Sequence, residues 1–272
     1  MNENKSDKSL SAYEKAAQEG IDPRCIPQKL TGPVPEHDEI VYPHYPQSDH
    51  QTWKTLYERQ MDALPSRICE EYINGVGKLN FTPERIPSLK ELSNIFNRTT
   101  GWKVARVPGL IHEQDFFGLL RRKVFPSTDY IRGKEELDYT PAPDLFHDMF
   151  GHMPLLTDPN FASFYQMVGE AALNAQGETR KELETLHWFT VEFGLIKKPE
   201  GMRIYGAGII SSKEEVKHAL SDNVKVYPFD PDRIVKQEYD VWHLQPILFA
   251  IDSFQQLEEG FKDWTSKKKL LI

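Results

Sequence analysis

The stretch Pro141–Pro154, PAPDLFHDMFGHMP, carries two imidazoles, His147 and His152, with four residues between them. On a regular α-helix an i, i+5 pair stands about 140° apart, unlike the i, i+4 pair of an H-E-x-x-H zinc site, which shares one face. Gly151 precedes His152 and Pro154 follows it, so the sequence predicts a helix that ends near His152. A histidine in the last turn and one just beyond it can then swing to a common point. Downstream, Leu186–Ile196 reads LHWFTVEFGLI, an apolar run holding one acid, Glu192. On a helix, Trp188 and Phe189 lie one turn before that acid and Leu195 and Ile196 one turn after, which sets the carboxylate in an apolar stripe. A buried, unpaired carboxylate costs several kcal/mol, so Glu192 must be ion-paired, protonated or bound to a metal. Two histidines and one carboxylate with no cysteine fit the facial ligand set of a non-haem Fe(II) centre, which leaves positions open for oxygen and another group. A zinc hydrolase with the same His₂Glu set is the competing assignment, and a non-catalytic protein with a buried His/Glu network is another.

Those side chains need elements to position them. Helical spacing runs over Ser48–Met61 through Trp53, Leu56, Tyr57 and Gln60, and Pro65 is placed to open a second helix, Ser66–Ile73. Ser88 and Glu91 form an S-x-x-E signature that starts a helix ending before Gly101, and a last helix covers Gln255–Ser266. Strand-like segments are short: Trp102–Val107, Met202–Tyr205, Lys225–Tyr227 and Pro246–Ala250. The expected fold class is mainly α with minor β. Residues 1–47 are expected to form a short helix, Ser9–Glu19, and a proline-rich arm, Pro23–Gln47, laid as a strap across the core. Residues 48–272 are expected to form one domain, and the irregular stretch Val124–Pro143 is long enough to be functional.

Charge and composition narrow the function classes. With 33 Lys and Arg against 41 Asp and Glu, the net charge of −8 gives no electrostatic reason to bind nucleic acid or an anionic membrane. No apolar run approaches the roughly 20 residues that cross a bilayer. Cys25 and Cys69 make no disulfide framework, which points to a reduced, cytoplasmic setting.

PAPDLFHDMFGHMPLL, HWFTVEFGL and YGAGIISS, in that order and spacing, resemble the catalytic domain of the pterin-dependent aromatic amino acid hydroxylases, most closely the short bacterial phenylalanine 4-hydroxylase branch. The likeness extends from about Ser88 to Phe254. It implies a basket of helices around a mononuclear iron, with Fe(II), a tetrahydropterin cosubstrate and O₂ as the working parts. Carried over residue by residue, it makes His147, His152 and Glu192 the iron ligands.

The same resemblance assigns the pterin to VPGLIHEQDFFGLL, where Phe116 is the stacking ring and Gly109, Leu110 and Ile111 supply backbone and apolar contacts. Asp148 and His187 complete that side. Glu113 stands where animal members have serine, and His187 where they have tyrosine. For the amino acid it implies Arg132 as the carboxylate anchor, Tyr139, Thr140 and Pro143 as pocket lining, Trp188 as the wall beside the ring and Gly208 as a close backbone approach. Ser211 falls where a serine both borders that pocket and orients the first histidine. The implied reaction is hydroxylation of L-phenylalanine to L-tyrosine. Tryptophan and tyrosine hydroxylation are the alternatives within the family, and Val241, where tyrosine hydroxylases have an acid, leans toward phenylalanine. With no regulatory domain or tetramerisation helix expected, the chain reads as a monomer or homodimer.

Overall fold

The computed structural model describes residues 22–138, 140, 142–241 and 243–270. The predicted helix Ser9–Glu19 lies outside them. Helix α1, Gln47–Ala63, buries Trp53, Leu56 and Gln60 at the expected spacing, and the Trp53 indole N–H donates to the Thr82 carbonyl at 2.9 Å. Helix α2, Glu70–Leu79, begins later than Pro65 suggested. Arg67 to Cys69 are drawn out to pair with Ile204 instead: Cys69 N–H donates to the Ile204 carbonyl (3.0 Å), and Ile204 N–H to the Arg67 carbonyl (2.7 Å). Asn80, at φ 53°, ends α2 in the left-handed conformation that such a cap uses. Helix α3, Leu89–Thr99, starts where the capping signature places it, with Ser88 Oγ accepting from the Glu91 N–H at 3.4 Å.

Among the described residues the strands form two sheets. Strand β1, Lys103–Val107, pairs in parallel with β2, Val124–Thr128, and α4, Glu113–Arg121, makes the crossover between them. The stretch expected to be irregular thus opens with a strand, every residue of which is buried. Helix α5, Pro159–Asn174, is capped by Asp158 Oδ1, which accepts from the N–H groups of Asn160 and Phe161 at 3.0 Å each; α6, Gly177–His187, follows. The second sheet has the order β4-β3-β6-β5, from β3 Gly194–Lys198, β4 Gly201–Ile204, β5 Lys225–Pro228 and β6 Ile247–Ile251. Its β3–β4 pair is an antiparallel hairpin, and β3–β6 and β5–β6 are parallel. Short helices α7, Ala207–Ile210, α8, Lys213–His218, and α9, Pro231–Ile234, link these strands, and α10, Phe254–Lys267, closes the described chain.

The arm lies along the first sheet as a strap. Gln28 N–H donates to the Leu110 carbonyl and His112 N–H to the Gln28 carbonyl, each at 2.9 Å, while Arg106 N–H donates to the Pro35 carbonyl at 2.9 Å. The core is rich in buried rings, Trp53, Trp102, Phe146, Phe150 and Tyr165 among them, and the candidate histidines sit at its edge. No helix among the described residues is long and apolar enough to cross a membrane.

Candidate active site

The helical stretch does end at His152, as expected, but its closing part, His147–His152, is a single π-helical turn, and a second one spans Trp188–Glu192. A turn closed by i to i+5 hydrogen bonds brings residues five apart nearly over each other, so the wide turn does what the predicted helix end was expected to do. The second turn also corrects the apolar stripe drawn on an α-helix. Phe193, not Glu192, comes back over Trp188: Phe193 N–H donates to the Trp188 carbonyl at 2.8 Å, and the two rings lie 4.5 Å apart. Glu192 is thereby turned off the aromatic stack and toward the histidines.

The three donors form a tight triangle. His147 Nε2 and His152 Nε2 are 3.0 Å apart, Glu192 Oε1 is 3.3 Å from His152 Nε2, and Glu192 Oε2 is 3.6 Å from His147 Nε2. Edges near 3 Å are what ligands about 2.1 Å from one ion make. Protonation supports the same reading. Ser211 Oγ gives its proton to the Ala207 carbonyl (2.9 Å), so it accepts from His147 Nδ1–H (2.8 Å), which leaves a lone pair on His147 Nε2. Burial lowers the His147 pKa to about 4, so the ring is neutral. Burial alone would raise Glu192, but His152 and His147 outweigh it and hold the carboxylate well below its ordinary value; in return Glu192 raises His152 against the effect of burial. Among the described residues these three are the group of His, Cys, Asp or Glu side chains arranged to hold a metal ion, and a divalent cation fits them. His152 Nδ1 is buried without a partner, and its ring is held by Tyr165 (6.3 Å, 16°) and Phe125 (5.5 Å, 44°).

Close packing fixes the two turns against each other. A Cβ on Gly206 would fall 2.3 Å from the Glu192 carbonyl oxygen, and one on Gly208 would fall 3.0 Å from the Phe193 ring. The small residues of YGAGIISS therefore admit the Glu192 turn.

The other predicted residues fall into two groups. On one side, Phe116 is half-buried on α4 with its edge to Phe117 (5.3 Å) and His187 (6.3 Å), and Ile111 is buried in a small apolar cluster against which Phe116 packs. Gly109 takes φ 154°, and the Leu110 carbonyl receives the strap. Asp148 Oδ2 accepts from the Thr128 N–H at 2.8 Å, and burial raises its pKa to about 7. Burial lowers His187 to about 4; its Nε2 lies 3.4 Å from the Tyr165 hydroxyl. Glu113 pairs with Arg180 at 2.9 Å.

On the other side, Arg132 is 5% exposed, and its fork already grips a carboxylate. Its Nε donates to Asp144 Oδ2 (2.9 Å) and its Nη2 to Asp144 Oδ1 (2.8 Å), while His147 N–H donates to Asp144 Oδ1 (3.1 Å). Among the described residues Arg132 Nη1 has no hydrogen-bond partner. Thr140 Oγ1 donates to the Ala142 carbonyl (3.0 Å), and the Pro143 carbonyl accepts from the Tyr130 hydroxyl (2.7 Å). Tyr139 lies outside the described residues. Sequence reasoning missed Asp144, whose position three residues before the His147 turn is a capping signal, and Gln245, which carries no local signal at all.

Known proteins resemble this chain over most of its length. Residues 31–270 match the biopterin-dependent aromatic amino acid hydroxylase family. A phenylalanine-4-hydroxylase of Pseudomonas aeruginosa is 44% identical over 220 residues, 81% of this chain and 84% of that protein. The fold matches the apo structure of the cold-active phenylalanine hydroxylase from Colwellia psychrerythraea 34H with TM-score 0.81 and 38% identity, covering 86% of this chain and 91% of that one. It also matches the Chromobacterium violaceum phenylalanine hydroxylase holding iron(III) and the oxidised cofactor 7,8-dihydrobiopterin, with TM-score 0.79, 41% identity and 83% coverage of each chain. Matched by the family over residues 31–270 and by relatives 38–44% identical over most of both chains, this protein belongs to the biopterin-dependent aromatic amino acid hydroxylases.

Proposed function

We propose that the protein hydroxylates L-phenylalanine to L-tyrosine with O₂ and a tetrahydropterin at a non-haem Fe(II) site. The observation that carries this reading is the triangle of His147 Nε2, His152 Nε2 and Glu192 carboxylate, with edges of 3.0, 3.3 and 3.6 Å, inside a family whose relatives bear that activity in their names. When bound, the iron and the pterin supply the oxygen chemistry: one oxygen atom goes to the aromatic ring, the other leaves on the pterin, and the pterin's two electrons balance the reaction.

The protein's own part is to hold, orient and exclude water. His147, His152 and Glu192 would hold the iron, and Ser211 keeps His147 in the tautomer that presents Nε2. Phe116 offers a half-exposed ring for the pterin, with Gly109, Leu110 and Ile111 as its backbone floor and Asp148 and His187 as its polar neighbours. Arg132 receives the substrate carboxylate on the edge of its guanidinium that Asp144 leaves free. Trp188 stands beside the substrate ring, with Tyr139, Thr140 and Pro143 lining the approach and Gly208 and Ser211 closing the floor. Val241, at the position where tyrosine hydroxylases have an acid, supports phenylalanine over tyrosine.

Tyrosine formation from phenylalanine, with Fe(II), tetrahydropterin and air omitted in turn and tryptophan and tyrosine run alongside, tests the reading. Product only when every component is present is the expected result, and no product from a folded, iron-loaded protein overturns it. We read the assembly as a monomer or homodimer, which a tetramer in sedimentation would refute. We place the chain in the cytoplasm on the strength of Cys25 and Cys69, two buried thiols outside any disulfide; fractionation of cells checks this.

A further inference from the structure

Trp188 opens the turn that ends at Glu192, and its ring lies on Tyr239 at 4.7 Å with the planes 19° apart. Tyr239 belongs to the segment 235–246, which joins α9 to β6. Among the described residues of that segment one polar side chain is buried, Gln245, at 2% exposure. All of its polar atoms are used. Oε1 accepts from the Trp188 indole N–H (3.3 Å), and Nε2 donates to the carbonyls of Asp240 and His243 (2.7 Å each). Its backbone N–H donates to Glu215 Oε1 (3.2 Å), and its carbonyl meets His218 Nε2 (3.0 Å). Glu215 and His218 sit on α8, which starts right after Ser211, the partner of His147. One residue therefore joins the indole and the neighbouring loop through its side chain, and the helix beside the ligand turn through its backbone.

An indole has a large apolar body and a single polar handle, so one fixed acceptor on that handle sets the rotation of the whole ring. We propose that Gln245 is the positioning residue that sets amino acid affinity and ring selectivity, by fixing the rotation of Trp188 and by holding the Asp240 and His243 carbonyls beside it, next to the Tyr239 ring that lies on Trp188. The inference rests on the proposed hydroxylation and on Trp188 as the wall of the ring slot. Gln245 touches none of His147, His152 and Glu192, so it acts on the slot and leaves iron binding alone.

The test compares Gln245→Met, close in shape and without hydrogen bonds, with Gln245→Glu, which keeps the acceptor for the indole and loses both donors. For Gln245→Met the expected result is a KM for phenylalanine raised about tenfold, kcat changed by less than about twofold, a narrowed preference for phenylalanine over tryptophan, and unchanged pterin KM and iron content. Gln245→Glu falls between it and the parent. Unchanged phenylalanine KM and preference in a folded, iron-loaded variant overturn the proposal, and so does a parallel loss of every parameter. A second readout does not need turnover: the ¹⁵N–¹H signal of the Trp188 indole, assigned by its disappearance in Trp188→Phe, shifts and exchanges faster in Gln245→Met, and phenylalanine titrates it more weakly there than in the parent. If the parent hydroxylates no aromatic amino acid, the proposed function falls while this titration still decides the role of Gln245, equal binding by parent and variant being the overturning result. If Gln245→Met does not fold, Gln245→Glu carries the same comparisons.

Discussion

Ser211 has one proton and gives it to the Ala207 carbonyl, so everything it does for His147 it does as an acceptor. Ser211→Ala leaves His147 free to turn or to take the other tautomer, and iron affinity, measured by chelator competition, should fall about 10- to 100-fold. Arg132 carries a different expectation from the one its sequence suggests. As a carboxylate anchor alone its loss would weaken amino acid binding, but it also pairs with a fully buried Asp144. Arg132→Ala strands that charge and should cost about 3–5 kcal/mol in urea unfolding, with the double change Arg132→Met, Asp144→Leu recovering most of it. That His147, His152 and Glu192 should come together was legible because they are polar types set in otherwise apolar runs. The pair Arg132–Asp144 was not, since irregular chain separates the two and no period connects them.

At the scale of elements, most helices were readable from the spacing of buried side chains, as Trp53, Leu56 and Gln60 show for α1. Strand β2 was hidden because all of Val124–Thr128 is buried, which removes the alternation that marks a half-exposed strand, and Pro126 argued against it. The two π-turns could not be read either, because tertiary packing decides whether a helix closes on i+4 or i+5. Gly206 belongs to that packing: the Cβ of Gly206→Ala meets backbone at the Glu192 carbonyl oxygen, which cannot move aside, so a loss of about 1–3 kcal/mol and of bound iron is expected in melting and metal analysis. Helix α8 makes a prediction about pH. Burial raises Glu215 to about 7 from 4.5, and its Oε2 is buried without a partner. The folded state thus holds a proton the unfolded state releases, so this group's contribution is full below about pH 4.5 and is lost as pH rises through about 7. Glu215→Gln should match the parent in melts at pH 4.5 and exceed it at pH 8 by on the order of 3 kcal/mol.

Across the whole molecule, the proposed metal site would tie together chain segments that the sheets and helices only bring near. Because an unfolded chain does not hold the triangle, Fe(II) at a hundredfold over its Kd should add about 2.7 kcal/mol of stability. For a domain of this size that is a rise of roughly 5–10 °C in Tm, reversed by a chelator and absent in Glu192→Gln. The mainly helical class and the strap were legible in the sequence; the order β4-β3-β6-β5 was not, since it depends on which short strands meet across long intervals. The π-turns have one more consequence at this scale. Each amounts to a helix carrying a surplus residue, so the centre depends on a count as well as on chemistry. Removing any one residue from 148–151 keeps every ligand yet turns the chain beyond it by about 100° and shortens it by about 1.5 Å. The protein should therefore be far less tolerant of single-residue deletions and insertions in 148–151 and 189–191 than of replacements at the same positions, an asymmetry in what its lineage can afford that a deletion scan set against a substitution scan would display.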